Sequence, residues 1–197
     1  MTIVLTGYLV FAMKGYMGQR IDYSQILLRR RKTMKDQDLK LFRSANREYL
    51  HFLWEKAKNN DLDGLDDEDR RLAEAMLMHE DEFFNEFEFA DVLHDREFDP
   101  DTDVNPFMHI TIHTAVENQL AAKDPIEVYQ FYNAMRKKKC SHHDTIHLIG
   151  AILLPLIFDT MKHQKSFNND RYVSMLKKYK SRKPDKIWKI LDSSGDV

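Results

Sequence analysis

Cysteine is nearly missing from this chain: Cys140 is the single thiol, so no internal disulfide can form. A cytoplasmic location is the expectation that follows. Glycine and proline are also sparse, at 6 and 5 residues. No glycine-rich phosphate loop is present, and nothing indicates an organic cofactor. No internal repeat appears, and no ladder of alternating strands. Neither sign of charge prevails, because the net charge is -2 and the pI is near 6.5, which argues against a general nucleic-acid binder.

Long apolar runs are lacking too. Between Ile3 and Leu28 the longest uninterrupted piece is Tyr8 to Met13, far short of the roughly 20 residues that span a bilayer, so no transmembrane segment is expected. The basic cluster Arg29-Arg30-Arg31-Lys32 follows this stretch, whereas a secretory signal carries its positive charge in front. Residues 1–34 therefore read as an N-terminal extension without a fold of its own, with a peripheral membrane contact as the alternative. The amphipathic pattern begins just after Met34, which could itself be a natural start.

What is present is enough for a core: 197 residues of which 43% are hydrophobic suit one domain plus tails. The boundaries expected are a helical core over residues 35–163 and a basic helical tail over 164–197. Acidic residues dominate from Asp61 to Asp103 and basic ones from Lys162 to Lys189. Such an imbalance either guides a partner or solvates two surfaces, and solvation is the simpler reading.

Periodicity predicts an all-α fold, a compact multi-helix bundle. Leu39, Phe42, Tyr49, Leu50, Phe52, Leu53 and Trp54 mark a first amphipathic helix from Asp36 to about Lys58, ended by Asn59-Asn60-Asp61 and Gly64. Asp66 caps a second through Met78, with His79 at its end. The stretch Glu82 to Leu93 reads as a short helix packing Phe83, Phe84, Phe87 and Phe89 into the core. An acidic connector follows, in which Asp99, Asp101 and Asp103 fail the calcium-loop pattern because Val104 and Ile110 replace the required Gly and Glu.

Asn105-Pro106 and Asp124-Pro125 each read as an N-cap followed by a first-turn proline. Ser141 with Asp144 resembles a capping box, opening an apolar helix that runs to about His163 with a kink at Pro155. The tail should be anchored by Tyr172, Met175, Leu176, Ile187 and Trp188, and should fray after Ser193.

Two of these helices carry paired histidines. Residues four apart share a helix face, so His109, His113 and Glu117 form one stripe and His143 with His147 another. Neutral imidazoles bind zinc, iron, manganese or nickel, and each pair is a half-site for one divalent ion. His79 is a further candidate ligand, whereas His142 should point away from the second stripe. His143-Asp144-Thr145-Ile146-His147 also varies the zinc-protease H-E-x-x-H pattern. Its Asp is a shorter acid, and one with a capping role to fill.

At these residues the chain resembles the bacterial family called domain of unknown function 1841. The resemblance rests on Asn105-Pro106-Phe107-Met108-His109, His113, Gln119, His143-Asp144-Thr145-Ile146-His147 and Gly150, with His79 at a matching position. It covers about Leu39 to Met161, leaving residues 1–33 and the basic tail outside. The resemblance implies a helical domain without an established activity, and Asp144 stands where the family more usually has glutamate.

The leading expectation is a helical metal-binding protein, with hydrolysis as its conceivable chemistry. His109, His113, His143 and His147 would hold the ion, and Glu117 or Asp144 would position water. The competing class is a non-enzymatic interaction or regulatory module in which the histidines form a hydrogen-bond network. A homodimer suits either.

Overall fold

The computed structural model describes residues 36–94, 96–99 and 103–193, with side chains from Arg43 onward. The expectations for the N-terminal extension, for Leu39 and Phe42, for Asp101 and for fraying after Ser193 lie outside what is described. Among the described residues there are eight helices and no strand, so the fold is all-α. They form two compact units, the first ending at Thr114 and the second beginning at Ala115.

The first unit contains α1 (Asp36–Lys58), α2 (Asp67–Met78), α3 (Glu80–Glu88) and the start of α4 (Pro106–Ala122). On α1 the buried positions Arg47, Leu50, Trp54 and Ala57 recur at helical spacing and make one stripe. Leu50, Trp54 and Ala57 join Leu72, Ala73 and Met76 of α2 and Phe87 of α3 in the unit's core. Each large apolar side chain fully buried there contributes roughly 1.5–3 kcal/mol. After α1 the chain turns through Asn60 and Gly64, whose φ values of 53° and 82° lie in the left-handed region. Asp66 then caps α2, accepting from the N–H groups of Glu68 and Asp69.

His79 occupies the corner between α2 and α3. With φ −117° and ψ 19° it leaves the helical region, ending one helix and starting the next. This places α3 at Glu80–Glu88, earlier than the aromatic spacing predicts, and Phe83 inside it also departs from helical geometry at φ −129°. Of its aromatics only Phe87 is buried. Phe84 and Phe89, with Val92 and Leu93 beyond, are exposed, as is Phe52 on α1. The expected burial of Phe84 and Phe89 is therefore corrected, because the corner at His79 and the turn after Glu88 change the faces that a continuous helix would have presented; Phe52 simply lies off the buried stripe of α1.

Asn105 behaves as predicted. Its Oδ1 accepts from the N–H groups of Phe107 and Met108, capping α4. The buried hydroxyls of Thr111 and Thr114 donate back to the carbonyls of Phe107 and Ile110, so they are satisfied without leaving the helix.

The second unit holds the rest of α4, α5 (Ile126–Lys137), α6 (His142–His163), α7 (Asn169–Tyr179) and α8 (Pro184–Ser193). α5 packs on α6 and α7, and α6 packs on α7 and α8. Here the Asp124-Pro125 expectation is corrected: Pro125 itself is the cap, with an extended ψ of 150° and no side-chain capping bond, and the helix starts at Ile126. Ser141 caps α6 by accepting from the N–H of Asp144. The helix continues past Pro155 to His163 and ends on Gln164, which has φ 53°. Tyr172, Leu176 and Ile187 of the basic tail are fully buried, and the Tyr172 hydroxyl donates to Gln119 at 2.9 Å.

Among the described residues α6 alone is long and apolar enough to cross a membrane, with mean hydropathy 1.4. Half of that stretch is buried within the protein, as expected of a core helix.

Candidate metal centre

Three imidazoles of the first unit face one another. Nε2 of His79 lies 3.1 Å from Nε2 of His109 and 3.3 Å from Nε2 of His113. The ring of His79 stands edge-on to both, at 83° and 87°. The helix corner delivers His79, while the one-turn spacing of α4 stacks His109 and His113 on a single face. His79 and His113 are buried and His109 half-buried. Behind the first ring, Glu82 Oε2 lies 3.4 Å from His79 Nδ1. A carboxylate there favours a proton on Nδ1 and leaves the Nε2 lone pair facing its neighbours.

In the second unit His143 and His147 are stacked one turn apart on α6, with ring centroids separated by 4.3 Å. Both are half-buried. One ligand nitrogen from each of His79, His113, His143 and His147 falls within 4.8 Å of the others, so the four can hold a metal ion.

Chemistry decides how to read these spacings. Two ligand nitrogens bound to one tetrahedral ion by bonds of about 2.05 Å are separated by about 3.3 Å, close to what His79 and His113 show. The same distance also suits a hydrogen bond, but a neutral imidazole nitrogen carries either a proton or a lone pair. A cation between His79 and His113 would take a lone pair from each and need no proton between them.

The other residues singled out from sequence sit differently. His109 adjoins His79 but is not among the four grouped nitrogens. Glu117 takes His142, with Oε1 2.8 Å from Nε2, and the Tyr132 hydroxyl meets the other nitrogen of His142 at 2.9 Å. Asp144 is exposed and accepts from the Ser141 hydroxyl at 2.5 Å.

With the geometry in hand, comparison with known proteins adds one finding. The profile of the family described as a domain of unknown function (DUF1841) matches residues 42–178. The chain belongs to the DUF1841 family. The match takes in all four grouped histidines of this DUF1841 chain and most of α7, so the basic tail, expected outside the family region, lies inside it as far as residue 178 and outside it beyond. No curated protein and no solved structure matches the chain.

Proposed function

We propose that this DUF1841 protein binds one transition-metal ion through His79, His113, His143 and His147. The observation that carries the reading is the convergence of one nitrogen from each of these four side chains within 4.8 Å. Four imidazoles without a thiolate suit zinc, nickel, copper or iron better than the oxygen-preferring magnesium or calcium. Four protein ligands also complete a tetrahedral shell, the arrangement of a closed site, whereas a hydrolytic site keeps a position for water.

The hydrolase version of this reading needs Glu117 or Asp144 beside that water. Glu117 is engaged by His142 and Asp144 by Ser141, so the support favours ion binding over turnover. The competing reading, a purely hydrogen-bonded network, draws on the 3.1 Å approach of His79 to His109.

Metal analysis of protein purified without a histidine tag separates the two. Binding predicts close to one ion per chain, lost in both His79→Ala and His147→Ala variants that retain parental helicity. Metal-free parent protein that also fails to take up added zinc, nickel, copper or iron would establish the network reading instead. A hydrolytic role requires a metal-dependent turnover that His147→Ala abolishes.

A further inference from the structure

Arg47 occupies the buried stripe of α1 and is only 3% exposed. Its guanidinium carbon sits 3.3 Å from the ring centroid of Phe107 and 5.6 Å from that of Phe98. Phenyl rings cover the faces of a guanidinium, but they give its N–H edge nothing comparable to a carboxylate. The nearby acids are committed elsewhere: Glu97 pairs with Arg43 at 3.1 Å and Glu86 with Arg96 at 3.0 Å. No ion pair to Arg47 occurs among the described residues.

Further donors sit on α1 itself and at the start of the helix that carries Phe107. Arg43, one turn earlier on α1, has a buried Nε without a hydrogen-bond partner, and so does the Nδ2 of Asn105. Asn105 is 4% exposed, and its Oδ1 is already used to cap α4. The guanidinium of Arg96 lies over the other face partner, 4.9 Å from the Phe98 centroid. Burial, then the charges of Arg43 and Arg96, push Arg47 down to about 9. Guanidinium holds its proton tenaciously, so such crowding is better relieved by an anion than by neutralisation.

We propose that Arg47, with Arg43 and the Asn105 amide, forms an oxyanion site that takes the phosphate or carboxylate group of a small ligand. Donor surplus and burial support it: among the described residues no acceptor is matched to Arg43 Nε or Asn105 Nδ2 and no carboxylate to Arg47, and a planar guanidinium edge matches a pair of phosphate or carboxylate oxygens. It is independent of the histidine centre.

The test titrates the full chain with inorganic phosphate and, separately, with citrate, at an ionic strength held constant with chloride, reading heat and melting temperature. A saturable response to phosphate, to citrate or to both is expected, and the stronger of the two identifies the ligand's anionic group. Arg47→Met should weaken it at least 10-fold. Asn105→Asp keeps the capping oxygen, removes the amide donor and supplies an internal carboxylate, so it should weaken binding similarly while remaining folded. His79→Ala should leave it unchanged. Absence of a saturable response in the parent, or undiminished binding in Asn105→Asp and in any folded Arg47→Met, would overturn the proposal.

Discussion

Within the unit that ends at Thr114, two sets of buried nitrogen groups meet very different company. His79, His109 and His113 face one another at 3.1 and 3.3 Å, whereas the guanidinium of Arg47 faces two phenyl rings. Imidazole can donate, accept or bind a metal, so several can be packed together and still share a proton or an ion. Guanidinium only donates. It must be screened by aromatic faces and matched from outside. The contrast shows that burial alone does not define a site: what a buried group can exchange with its neighbours determines whether a cation or an anion would complete it.

Removing a histidine ligand should give the largest effect. His79→Ala is expected to lower metal affinity by at least about 100-fold, beyond the 10–100-fold typical of losing a supporting residue. Competition with a chromophoric chelator measures this directly. His109→Ala sharpens the comparison, because His109 adjoins His79 but is outside the four grouped nitrogens. A loss as large as that of His79→Ala would move His109 into the coordination set.

The arginine side breaks in the opposite sense. Arg47→Ala should destabilise the protein by about 2–4 kcal/mol in urea unfolding, since it leaves the rings of Phe98 and Phe107 lining a cavity. Arg47→Met, which fills the same space without charge, should stay within about 1 kcal/mol of the parent. Equal losses for the two would mean that the charge, rather than the stem, stabilises the fold.

Part of this was legible in the sequence. Helical spacing gave α1, α2 and α6 near their observed limits, and Asp66, Asn105 and Ser141 cap where their side-chain oxygens suggested. The burial of Phe84 and Phe89 was misjudged because periodicity assumes a continuous helix, and the corner at His79 interrupts it. Asp124 failed as a cap because Pro125 takes the extended backbone that capping needs. The i, i+4 pairs pointed to His113, His143 and His147, while His79 entered only as a further candidate with a matching family position: a residue at a helix corner leaves no periodic trace. The Arg47 cluster was missed, although a signal existed. A charged residue stood in the apolar stripe that continues through Leu50, Trp54 and Ala57.

Glu82 offers a smaller test of the imidazole side. Replacement by Gln removes the carboxylate 3.4 Å behind His79 Nδ1, and metal affinity should fall about 10-fold if that charge orients the ring and strengthens the ligand. Stability without metal should hardly move, since Glu82 is exposed. An unchanged affinity would show that packing at the helix corner holds the ring by itself.

The smallest effect belongs to Glu88, a carboxylate that does have its cation. Its Oε2 accepts from Lys58 Nζ at 2.6 Å and from Trp54 Nε1 at 2.7 Å. The hydrogen bond from Lys58, then that from Trp54, holds its carboxyl below the usual range near 4.5. Because the folded pKa is the lower one, the unfolded chain binds more protons between the two values, so stability rises with pH across that interval. The contribution is complete above about pH 4.5 and is lost as pH falls through the depressed folded value. A partly solvated pair of this kind is worth about 1 kcal/mol or less. Glu88→Gln should therefore flatten the acid limb of the urea midpoint against pH by a small amount, leaving the most acidic points nearly level with the parent and lowering the neutral region by about 1 kcal/mol or less. An acid limb identical to the parent's would mean that Glu88 gains nothing from Lys58.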